Sequence, residues 1–75
     1  MQPSEKLVMM ANQIARNLAI RGEAEAVAET ADHIARFWDP RMRATILAYA
    51  ATDGAALNPI AAAALARLAD AAKAS

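Results

Sequence analysis

Four interruptions divide this chain into runs that can only be helical. They are Gly22, the Asp39 and Pro40 pair, Asp53 with Gly54, and Asn58 with Pro59. Between them the apolar residues recur every three or four positions, and nowhere does the alternation of a half-buried strand appear. Leu7, Met10, Ala11, Ile14 and Leu18 share one face of a first helix, with Ser4 as its expected N-cap. Gly22 is the expected left-handed residue that closes it, beside Arg16 and Arg21 where positive charge complements the helix dipole. Glu23 and Glu25 open a second helix whose apolar stripe is Val27, Ala31, Ile34 and Trp38. Pro40 disfavours helical conformation at Asp39, which becomes the cap of a third helix with Met42, Ile46, Tyr49 and Ala50 on one side. Asn58 and Pro59 repeat that device for a fourth helix, which turns Leu57 or Ile60, Ala64 or Leu65, Leu68 and Ala72 inward. The expected helices cover residues 5–21, 23–38, 40–53 and 59–73 of a single all-α domain, with fraying from Lys73 onward. Short connections and small side chains make a bundle of three to four short helices the economical packing.

Such a bundle is thin. A chain of 75 residues buries only about 60% of its unfolded surface, and domains of that size usually rely on staples, metal or a partner. Disulfides and thiolate ligands are excluded, because there is no cysteine. A lone histidine, His33, and the lack of a dense carboxylate cluster argue against any metal site, so the chain is expected to be metal-free. A partner is what remains.

The class of partner is narrowed by charge. Eight Lys and Arg balance eight Asp and Glu, which argues against the broad positive field of non-specific nucleic-acid binding. A small helical nucleic-acid-binding or antitoxin-like module is therefore the weakest of the readings considered. Residues 1–5 show no targeting pattern, and no apolar run approaches the 18 or so residues of a membrane span. The expected compartment is the cytoplasm. Gly22 and Gly54 lie outside any strand, loop and helix context, so no phosphate-binding loop is present.

Bulk and charge concentrate between Asp32 and Arg43, which contains the only tryptophan, the only phenylalanine and three arginines. One aromatic side chain can bury roughly 150–250 Å², so a specific contact is expected to run through this turn. Trp38 is either the plug of the core or an anchor for another protein. Phe37 beside it points to a different helix face, so one ring of the two is the candidate anchor. Arg36, Arg41 and Arg43 gather round the same turn, two of them at a helix N-terminus that the dipole makes unfavourable for cations. Either Asp32 and Asp39 neutralise them, or acids on a partner do. Met9 and Gln13 share a face of the first helix, with Asn12 next to them, and this face is read as either solvent-exposed or in contact with a partner. His33 lacks a nucleophile or orienting acid and is read as a helix-face residue, and Asp39 as a cap; no catalytic residue is expected.

Leu7 to Ala15, then Ala31 to Arg43 with its Phe37, Trp38, Asp39, Pro40, Arg41 run, resembles the delta subunit of NAD-dependent, molybdenum-containing formate dehydrogenases, and Leu57, Asn58 and Pro59 with Ala64 and Leu65 extend the likeness. The resemblance implies a cofactor-free accessory subunit that supports assembly or stability of the large catalytic subunit. Its partner subunits would carry the molybdenum pterin, iron–sulfur clusters and FMN. A transient chaperone for molybdenum cofactor insertion, using Arg36, Arg41 and Arg43 on phosphates, is the alternative. The expected contact set is Met9, Gln13, Arg36, Phe37, Trp38, Arg41, Met42 and Arg43, with no cofactor or metal ligand. Whether the isolated chain self-associates through the same face is left open.

Overall fold

A computed structural model describes residues 3–74. It contains α1 (Pro3–Leu18), α2 (Glu23–Phe37), α3 (Pro40–Thr52) and α4 (Pro59–Ala74), with a single 3-10 turn at Ala19–Arg21. There is no strand among the described residues. Ser4 lies inside α1 instead of capping it, because Pro3, whose fixed φ suits a first helical position, starts the helix earlier. The capping position thus falls outside the described residues. Gly22 has φ 98° and ψ 151°, so its φ is positive but it is not the left-handed helical residue expected. Its N–H closes the 3-10 turn on Ala19 O at 3.1 Å, while its carbonyl accepts the Ala26 N–H of α2 at 2.8 Å. One glycine therefore ends one helix and begins the next.

The two proline-led starts follow the same local chemistry. Asp39 Oδ1 accepts from Met42 N at 2.9 Å, and Asn58 Oδ1 accepts from Ala61 N at 2.8 Å, each satisfying an otherwise orphaned first-turn amide. At the end of α3, the Asp53 amide bonds to Tyr49 O and Gly54 turns the chain at φ 70°.

Ile34, Ile46 and Leu65 are fully buried at the centre, with Leu7, Val8, Ala11, Ala15, Trp38 and Ala61 packed around them. The most extensive helix pairing is between the alanine-rich α2 and α4. Fully buried Ala26, Thr30 and Ala64 belong to those two helices. Small side chains let the two backbones approach closely, so poverty in bulk becomes tight internal packing. Thr30 was not in the expected stripe; α2 packs on both α1 and α4, which widens its buried arc. Its hydroxyl has no hydrogen-bond partner among the described residues, a condition that costs about 1–3 kcal/mol.

A polar clip joins residues far apart in sequence. Asn12 Nδ2 donates to Ala56 O at 2.9 Å, Asn12 Oδ1 accepts from Asn58 N at 2.9 Å, and Asn12 O accepts from Asn58 Nδ2 at 3.3 Å. Asn12 is thus an internal strut that holds the α3–α4 connection onto α1. Tyr49 assists from α3 by accepting the Ala56 N–H at its hydroxyl. The Cα radius of gyration is 11.1 Å, against about 11.3 Å for a compact domain of this length. The core closes without a partner.

Candidate docking surface

The turn from α2 to α3 separates the two large rings. Trp38 follows the last residue of α2 in an extended conformation, φ −86° and ψ 139°, and is only 4% exposed. Phe37, one residue earlier, is 73% exposed and lies against the His33 ring at 4.9 Å between centroids. Of the two candidate anchors, Phe37 is therefore the one offered to solvent. Trp38 is the core plug, with only an edge of its indole left at the surface.

Two shallow grooves flank α1 beside this turn. One, of about 440 Å³, is lined by Met9, Met10, Gln13 and Ile14 of α1, His33 of α2, and an edge of Trp38. The other, of about 380 Å³, runs between α1 and α3 and is lined by Lys6, Leu7, Met10, Arg41, Met42 and Thr45. Met10 belongs to both, so they form one surface with a methionine ridge across it. Met9 is 64% exposed at its edge.

The expected contact residues divide accordingly. Met9 and Gln13 line the first groove, Arg41 and Met42 the second, and Phe37 joins through His33. Arg36 is held by Asp32, Nε to Oδ1 3.0 Å, one helical turn back. Arg43 reaches back to α2 and donates to Ala35 O at 3.3 Å and to Trp38 O. It satisfies carbonyls at the C-terminus of α2 and fastens α2 to α3. Lys6, Leu7, Met10, Ile14, His33 and Thr45 complete the surface and were not in the expected set. Lys6 and Met10 are four residues apart, a spacing that places them on one face, but nothing in α1 alone shows that α3 lies beside them.

Other features offer less. The groove between α3 and α4, about 450 Å³, is walled by alanines such as Ala50, Ala62 and Ala66 and carries both signs of charge at Asp53, Asp70 and Lys73. Ile20 is 92% exposed on the 3-10 turn. Among the described residues no group of three His, Cys, Asp or Glu could hold a metal ion, and no helix is long and apolar enough to cross a membrane.

Among the described residues the chain is a small all-α bundle of four helices with a closed core and an apolar groove lined by methionines on its outer face. The particular family is defined by comparison with known families: the chain belongs to the NADH-dependent formate dehydrogenase delta subunits (FdsD), whose model matches residues 6–65. The match spans the turn with both rings, all of α3 and α1 from Lys6 onward. Membership implies association with a formate dehydrogenase complex. Neither a curated protein nor a solved structure matches the chain.

Proposed function

We propose that this chain is a non-catalytic accessory subunit of a cytoplasmic NAD-dependent, molybdenum-containing formate dehydrogenase, and that it supports assembly or stability of the large catalytic subunit by docking on it. The molybdenum pterin, iron–sulfur clusters and FMN belong to the partner subunits, and this chain holds no cofactor. The observation that carries the reading is the exposed Phe37, which lies against His33 of the groove lined by Met9 and Met10 while Ile34, Ile46 and Leu65 are fully buried beneath the surface. An apolar ring left in water gains about 1.5–3 kcal/mol when a partner covers it. Aromatic and methionine side chains are also enriched at interfaces.

Co-expression of the tagged chain with the catalytic subunit tests this. Wild type is expected to co-purify stoichiometrically, and Phe37→Ser to weaken the complex by about tenfold to a hundredfold while the isolated variant melts as wild type does. Wild-type affinity in Phe37→Ser removes that ring from the interface, and failure of the wild-type chain to bind the catalytic subunit removes the reading. Binding to the cofactor-free subunit that is lost once the cofactor is inserted identifies the chain as a chaperone for insertion.

A further inference from the structure

We propose that the groove between α1 and α3 receives an amphipathic helix of the catalytic subunit whose carboxylates pair with Lys6 and Arg41 while its apolar stripe lies on Met10 and Met42. The inference rests on the accessory-subunit reading and adds the chemistry of the segment that is bound.

The shape is that of a trough between two helices. Leu7, itself buried, makes the floor, and Met10 and Met42 make the walls. Unbranched methionines adapt to the side chains of an incoming helix. Thr45 hardly adds polarity, since its hydroxyl already donates to Arg41 O at 2.9 Å. An extended segment finds no strand edge to add to among the described residues, and the residues that line this groove include no aromatic of the kind that grips a polyproline segment. A helix satisfies its own backbone and needs only apolar anchors at i, i+3 or i+4, and i+7.

Charge identifies the occupant further. Other cations of the turns are matched internally: Arg21 by Glu29, Arg36 by Asp32, and Arg43 by carbonyls of α2. Lys6 and Arg41, both exposed, form no ion pair among the described residues, and no acid lines their groove. Asp39, two residues before Arg41, is engaged with the Met42 amide. Glu5 lies on the side of α1 that carries Met9, one turn away from it, and is not part of this groove. The trough therefore presents two unmatched cations beside an apolar floor, the complement of an acidic amphipathic helix. A second copy of this chain is disfavoured by symmetry, because a two-fold contact places the same patch on both sides and sets these cations against each other.

The chain's lysines are Lys6 and Lys73, at opposite ends of the sequence, so a zero-length carbodiimide cross-linker reads the groove directly. In the purified complex, the expected product joins Lys6 to an Asp or Glu within a helical segment of the catalytic subunit, with Lys73 left unlinked. The exposed double variant Lys6→Glu with Arg41→Glu is expected to lose at least tenfold in affinity and most of the salt dependence of binding, with an unchanged melting temperature; Lys6→Arg with Arg41→Lys retains both. Linkage through Lys73 alone, wild-type affinity in the charge-reversed variant, or a groove-dependent dimer of the isolated chain overturns the proposal. If Phe37→Ser still weakens a complex that charge reversal leaves intact, the helix-in-groove assignment fails by itself. If the wild-type chain does not bind the catalytic subunit, both fail.

Discussion

Replacing Asn12 by alanine tests the idea that a single amide fastens the loop of this bundle. The substitution deletes two hydrogen bonds, to Ala56 O and from Asn58 N, both 2.9 Å, and leaves the backbone bond from Asn58 Nδ2 to Asn12 O in place. The Ala56 carbonyl sits at an exposed position where water can substitute, which sets that loss near 0.5 kcal/mol. The Asn58 amide is part-buried, and a donor deprived of its partner there costs about 1–2 kcal/mol. The sum, about 2 kcal/mol, is a large share of the roughly 4–11 kcal/mol expected for 75 residues. Since each kcal/mol shifts the melting point of a domain this size by about 4–8 °C, a fall of about 8–16 °C is expected by circular dichroism. Urea unfolding should give the same loss with an unchanged slope. Asn12→Asp keeps the acceptor for Asn58 N and should lose less. Gln13→Ala is the control, because that amide bonds only to Asn17 of its own helix, at 3.3 Å, and should stay within about 0.5 kcal/mol. The strut argument is refuted if Asn12→Ala is no worse than Gln13→Ala.

Three further substitutions probe other parts of the fold. Thr30→Val replaces a buried, unpartnered hydroxyl with a methyl of similar volume and should raise stability by about 1 kcal/mol; a fall of that size would mean the hydroxyl has a partner after all. Trp38→Ala should cost about 3–5 kcal/mol and bring the isolated chain near unfolding in a thermal melt, whereas an intact, cooperative melt at the wild-type temperature would place the indole outside the core. Gly54→Ala forces a side chain into φ 70° with its Cβ 3.2 Å from Ala50 O, and should lower stability by about 1–2 kcal/mol in chemical denaturation; an unchanged midpoint would show that the turn relaxes freely.

The four helices and most of their ends were legible because their determinants are local. Asp39 with Pro40, and Asn58 with Pro59, act within one turn of chain, so reading them requires no knowledge of what packs where. Gly22 shows the limit of such reading: the need for a glycine was visible, but its ψ of 151° depends on the angle at which α2 leaves. The site was legible in composition and not in arrangement. The arginines of the dense turn from Asp32 to Arg43 have three different fates: pairing with Asp32, capping α2, and lying beside Lys6 with no ion pair among the described residues. Each fate depends on which atoms another helix brings near.

What the sequence by itself determined is the number of helices and their approximate limits, since helical periodicity and capping are properties of neighbouring residues; the inward stripes were read only in part, because Val8, Ala15, Ala26 and Ala61 are buried outside them and Ala72, expected inward, is exposed. Only the tertiary structure decided that Trp38 is enclosed while Phe37 is not, that α2 and α4 use their alanines on each other, and that Asn12 ties two distant segments. The reason is physical: Phe37 ends α2 and Trp38 leaves it in an extended conformation, so the two neighbouring rings point in different directions. Which of them meets water is set by where the remaining helices come to rest.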